Sequence, residues 1–167
     1  MLRIAIAKGS AEDHIRVTRA DGAVVETRFP HKGPVPHDAV HLFVERGLGL
    51  SRGFWGLVAQ GRQPEELVEL AKAAGHASAA RAGVPDAGIV ELLQAERLVE
   101  AYEALLWGGG GSLADVLAMA QVGCETSFVP TPPLDEAMHR AIAQAIDDFA
   151  RGWIAGPKGH VAELSWP

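Results

Sequence analysis

Two imidazoles one helical turn apart, bordered by carboxylates, make Pro36-His37-Asp38-Ala39-Val40-His41-Leu42-Phe43-Val44-Glu45 the segment of this chain best equipped for chemistry. Each helical residue turns the chain by about 100°. Val40, Val44 and Leu48 then share a face that meets a core, with Phe43 at its margin. His37 falls within that face and His41 nearer its edge, and Asp38 and Glu45 are expected just beyond His41 on the polar side. Such a pair can hold a divalent metal, or act as a general base oriented by an acid. His37-Asp38-x-x-His41 is one methylene short of the zinc-protease spelling His-Glu-x-x-His. An aspartate reaches less far than the glutamate that serves as base there, and no third ligand follows downstream. Glu45, one turn further along the same helix, would be strained to meet a metal already held by both histidines, so the protease assignment is rejected. The same residues have structural uses. Asp38 in a first turn favours the helix dipole, His37 can be a core histidine bonded to a backbone carbonyl, and His41 a half-exposed boundary residue.

Other groups compete for a role. His31 lies just upstream on a proline-held loop. Gly53-Phe54-Trp55-Gly56 follows the histidine helix, and its two aromatics either cap a small-molecule pocket or pin two helices together. Glu136-x-x-His139, taken with Asp38-x-x-His41, has the acid-x-x-His spacing of di-iron bundles, which also need inward glutamates such as Glu100 and Glu103. Cys124 has no histidine beside it in sequence to make a thiolate, and a buried small hydrophobe is its simpler use. Gly108 to Ser112 leads into a helix N-terminus but lacks the lysine of a phosphate loop, so it is expected to be a helix stop and turn.

The elements that position these groups follow from pattern. Leu2 to Ala7 alternates as a strand, and Asp21-Gly22 joins two runs rich in Val, Ile and Thr as a tight hairpin, with Ile15 and Val17 on one side and Arg16 and Thr18 on the other. Phe29 to Pro36 is a loop, and the histidine helix runs from there to about Leu48. Short helices are expected from Phe54 to near Gly61 and from Pro64 to Gly75. The longest begins at Pro85-Asp86 and ends in the run Gly108 to Gly111, with Ile89, Leu92, Val99, Tyr102 and Leu106 on its core face. Ser112 and Asp115 form a capping box for a helix reaching about Val122. The last helix covers about Leu134 to Trp153, with Met138, Ile142, Ala145, Phe149 and Trp153 as its buried stripe. His160 to Trp166 alternates as a strand that returns to the N-terminal sheet. The expected fold is α+β: one domain over residues 1–167, a small antiparallel sheet packed with a mainly helical middle and C-terminal part.

Composition narrows the functions. A net charge of −6 disfavours a nucleic-acid partner, and the basic N-terminal residues Arg3, Lys8, Arg16, Arg19, Arg28 and Lys32 are explained by a solvated sheet face. No apolar run approaches the roughly 18 residues of a membrane span. The single cysteine and the absence of a leader-like N-terminus point to a cytoplasmic protein.

The run Phe29-Pro30-His31, Pro36-His37-Asp38-Ala39-Val40-His41 with Val44-Glu45, and Gly53-Phe54-Trp55-Gly56 resembles a group of uncharacterised bacterial proteins over about positions 29 to 60. The resemblance implies a bacterial cytosolic origin and carries no activity. Three uses stay open: a small-molecule or partner-binding protein with a pocket lined by His37, His41 and Trp55; a metal-dependent hydrolase using His37, His41 and an acid such as Asp38 or Glu45; or a homodimeric interaction module whose helical stripes pack across a symmetry axis.

Overall fold

The structure is a computed structural model, and it describes residues 1–75 and 83–167. Four strands, β1 (Leu2–Ala7), β2 (Glu12–Thr18), β3 (Val24–Pro30) and β4 (Val161–Trp166), form an antiparallel sheet in the order β3-β2-β1-β4. The chain is α+β, and the C-terminal strand does return to the sheet, where it pairs with β1. At the β2–β3 hairpin the Asp21 carboxylate accepts the Ala23 N–H at 2.9 Å. Alternation divides the sheet as expected. Ile4, Ile6, Ile15 and Val17 are buried, and on the outer face Arg16 pairs with Glu26, and Arg28 with Glu12. Cross-strand carboxylates thus neutralise two of the N-terminal basic residues.

Six helices follow β3 among the described residues: α1 (His37–Leu48), α2 (Phe54–Ala59), α3 (Pro64–Ala73), α4 (Val90–Trp107), α5 (Leu113–Thr126) and α6 (Glu136–Ala155). Four expectations change. Pro85-Asp86 does not start α4, because a 3-10 turn (Ala87–Ile89) precedes it. The longest helix is therefore α6, with 20 residues against 18. The α6 stripe turns toward Ile146 and Ala150, while Ala145 sits only half-buried. The Ser112–Asp115 capping box is formed, and α5 runs past Val122 to Thr126, taking Cys124 into its buried side. No described helix is long and apolar enough to cross a membrane.

Helix α1 lies between two apolar clusters. Ala39 and Leu42 pack with the sheet residues and Trp55. Val40 and Val44 pack with Leu93, Leu98, Val99 and Ile142 of α4 and α6. A helix covered from two sides has little polar face left, which overturns the expectation that Asp38 and Glu45 face solvent: both are buried. Of the α4 stripe, Leu92, Val99 and Tyr102 are buried within the chain itself, and Ile89 and Leu106 are half-buried.

Lys8 ties the sheet to the end of α6. Its Nζ donates to the carbonyls of Trp153 and Gly156, both at 2.8 Å, where a cation also meets the negative end of the helix. Lys8→Met keeps the side chain's length and loses both bonds. It should lower the unfolding free energy in urea by about 1–2 kcal/mol, with the cost shrinking if Nζ is not bonded there.

Candidate metal centre

His37, His41 and Glu45 follow one another at single-turn spacing along α1, and Glu96 and Glu103 stand two turns apart on α4, which crosses it. The two helices bring these five side chains together. His37 Nδ1–H donates to Glu103 Oε1 at 2.8 Å, and His41 Nδ1–H donates to Glu45 Oε1 at 2.9 Å. An ionised carboxylate only accepts, so each acid fixes its imidazole in the tautomer that leaves Nε2 free. The two Nε2 atoms lie 3.2 Å apart. The Glu96 carboxylate straddles them, with Oε2 at 3.5 Å from His37 Nε2 and Oε1 at 3.5 Å from His41 Nε2. His37, His41 and Glu96 thus converge one ligand atom each, all within 4.8 Å of one another.

Glu45 is 0% exposed, yet both oxygens of its carboxylate are bonded. Oε1 also accepts the Phe54 N–H at 2.8 Å, and Oε2 the Trp55 N–H at 3.0 Å. The start of α2 therefore closes on the acid that orients His41. Gly53 makes the approach possible, since a Cβ there would stand 2.4 Å from the Glu45 carboxyl carbon. Trp55 is buried, and its Nε1–H donates to the Asp38 carbonyl at 2.8 Å, pinning α2 to α1. Phe54 sits with its ring 5.7 Å from that of His41.

The cluster opens into a cavity of about 510 Å³. His37, His41 and Glu96 line it, Phe29, Pro30, Phe54, Val68 and Ala71 form apolar walls, and Lys32, Glu65, Glu69 and Lys72 stand among its other lining residues. Asp38 lines this cavity as well as a smaller neighbour.

Several sequence expectations are corrected here. His41, placed at an edge, is the more buried histidine at 1% exposure, and His37 is partly accessible. A third ligand exists: Glu96, on a different helix rather than downstream on α1. Glu45 orients His41 and is not among the convergent ligand atoms. Glu103 does face inward, but onto His37 Nδ1, whereas Glu100 is exposed and pairs with Arg97. His139 is buried, but its Nδ1 meets the Tyr102 hydroxyl, and Glu136 is exposed, so no second acid-x-x-His pair joins the centre. His31 pairs with Asp13 at 2.8 Å in the smaller cavity, outside the ligand group. Of the two aromatics, Phe54 lines the pocket and Trp55 does the pinning. Burial pushes the Cys124 thiol up, in keeping with an inert residue. Comparison with known protein families, curated proteins and solved structures finds no match.

Burial pulls the His41 pKa down, but the charge of Glu96 and the bond to Glu45 pull it up further and leave it well above the ordinary value of 6.5. His37 follows the same pattern, with burial outweighed by Glu103 and Glu96. For Glu96 burial works upward, and the facing histidines outweigh it and hold the carboxyl well below its usual range. Burial lifts Glu45, opposed only in part by His41 and the two amides.

A histidine whose folded pKa is raised stabilises the fold fully below its unfolded value and loses that contribution as pH climbs through the folded pKa. The depressed Glu96 contributes above the ordinary 4.5 and is lost on acidification. Glu45, being raised, adds a cost as it ionises. Metal-free protein should therefore melt highest between these two ordinary values and progressively lower as pH rises beyond 6.5; a flat or rising Tm through pH 8 contradicts the arrangement. Glu45→Ala strands three buried donors and should cost more than about 3 kcal/mol in urea unfolding, with Glu45→Gln retaining part of that stability.

Proposed function

We propose that this protein is a metal-dependent enzyme of hydrolytic class, with His37, His41 and Glu96 holding one divalent ion, best fitted by zinc, at the floor of the larger cavity. The observation that carries the reading is the convergence of two Nε2 atoms and one carboxylate, each imidazole oriented from behind by its own acid. Two histidines and one glutamate are a ligand set of catalytic zinc sites, which keep a further position open for water or substrate. Ligand atoms bound tetrahedrally at about 2.0–2.1 Å stand about 3.3–3.4 Å apart. An octahedral ion at the same bond length brings them to about 2.9 Å. The two Nε2 atoms, 3.2 Å apart, sit nearer the tetrahedral case, and each has its own Glu96 oxygen at 3.5 Å.

Such an ion, when bound, supplies Lewis acidity and lowers the pKa of bound water to about 7. The chain's own part is to hold both imidazoles in one tautomer through Glu45 and Glu103, to set Phe54 beside His41, and to present the open side to a cavity with apolar walls. A small substrate with an apolar body suits that volume. A histidine–glutamate network kept only for fold stability is the competing use of the same residues. It differs in needing no metal.

Purified protein should contain one zinc ion per chain after loading and dialysis. His41→Ala and Glu96→Ala should each abolish retention, and His139→Ala should leave it intact. Because Nε2 must shed its proton to bind, the rise in Tm produced by zinc should widen between pH 6 and pH 8. Absence of bound metal together with no rise in Tm at any pH would remove this function.

A further inference from the structure

Three elements bring carbon to the cavity of about 510 Å³ that His37, His41 and Glu96 also line: Phe29 and Pro30 from the end of β3, Phe54 from the start of α2, and Val68 and Ala71 from α3. The wall they form is poor in donors. Pro30 has no N–H, the Phe54 N–H is spent on Glu45 Oε1, and the N–H groups of Val68 and Ala71 point along α3. Water against such a wall finds few partners, and a hydrocarbon group replaces it favourably.

The charged residues of the same cavity carry both signs. Its exposed members are two cations, Lys32 and Lys72, and two acids, Glu65 and Glu69, with Lys72 bonded to Glu69 at 3.2 Å. The buried Asp38 has Lys32 and both histidines within electrostatic reach. No single ionic group is favoured by such a set. Side-chain size does discriminate. Val68 is half-buried, and Ala71, at 3% exposure, has the smallest side chain of the apolar wall. Its methyl leaves open the room that a longer side chain would take.

We infer that the substrate of this site is a neutral carbonyl compound with a hydrocarbon chain, seated in the larger cavity against Phe54, Val68 and Ala71, and that Val68 and Ala71 set the length of chain admitted. The carbonyl rests on the metal-enzyme reading, in which the ion polarises it. The hydrocarbon seat needs no metal.

Isothermal titration tests both parts. Zinc-loaded protein is titrated with acetohydroxamate, butanohydroxamate, hexanohydroxamate and octanohydroxamate, whose head groups bind zinc. Metal-free protein is titrated with butan-1-ol, hexan-1-ol and octan-1-ol. Affinity should rise about fourfold per added methylene in either series, the transfer free energy of one CH₂. Ala71→Leu and Val68→Phe should each weaken octanohydroxamate about tenfold or more. Zinc retention and acetohydroxamate affinity should stay unchanged in both variants, which also reports that they are folded. Affinity independent of chain length, or an undiminished rise with chain length in both variants, overturns the inference. Zinc retention with a flat series removes only the hydrocarbon seat. A rising alcohol series in protein that holds no zinc supports the seat and removes only the metal reading.

Discussion

A carboxylate with no exposure at the centre of a protein has to be paid for by its bonds, and Glu45 accepts three: from the His41 ring and from the Phe54 and Trp55 amides. Removing any one donor leaves a charge in a medium that solvates it poorly. The rest of the site hangs on this acid. It fixes His41 in the tautomer whose Nε2 faces His37 and Glu96, and it locks the start of α2 so that Phe54 forms a wall of the larger cavity. The short distance from Gly53 to its carboxyl carbon shows how closely the two segments fit.

The position of α1 explains why so many polar groups could be buried at once. Packed between the sheet cluster and the α4–α6 cluster, it turns residues from most of its circumference inward. Polar side chains there have to satisfy one another, and the histidines and glutamates do so in linked pairs. Charge is the constraint on such a network. With both imidazoles neutral, three carboxylates are linked through two rings, and a dication between the ligand atoms meets Glu96 directly and the other two through the imidazoles. Protonated imidazoles relieve them too, which is why the histidine pKa values rise in the metal-free protein.

The strands, the hairpin, the α1 start and the Ser112 capping box were legible in the sequence because each depends on neighbours a few residues away. The one-turn spacing of His37 and His41 was legible for the same reason. What failed was the assumption of one wet face: from sequence, Asp38 and Glu45 fall on the polar side of α1, and only the packing of two clusters against it overrides that. Glu96 was missed although a signal existed. It lies four residues after Leu92 and three before Val99, in the middle of the buried arc of α4, and an acid interrupting an apolar stripe needs a partner. Glu103 recurs two turns later on the same face. Which helix α4 would meet is a long-range fact that spacing does not contain, so His37 and His41 looked one ligand short.

X-ray absorption at the zinc edge of the loaded protein tests the central claim most directly. The account predicts a shell of nitrogen and oxygen atoms at about 2.0–2.1 Å, with outer-shell scattering from two imidazoles. A sulfur shell, or outer-shell scattering from a single imidazole or from none, would contradict it.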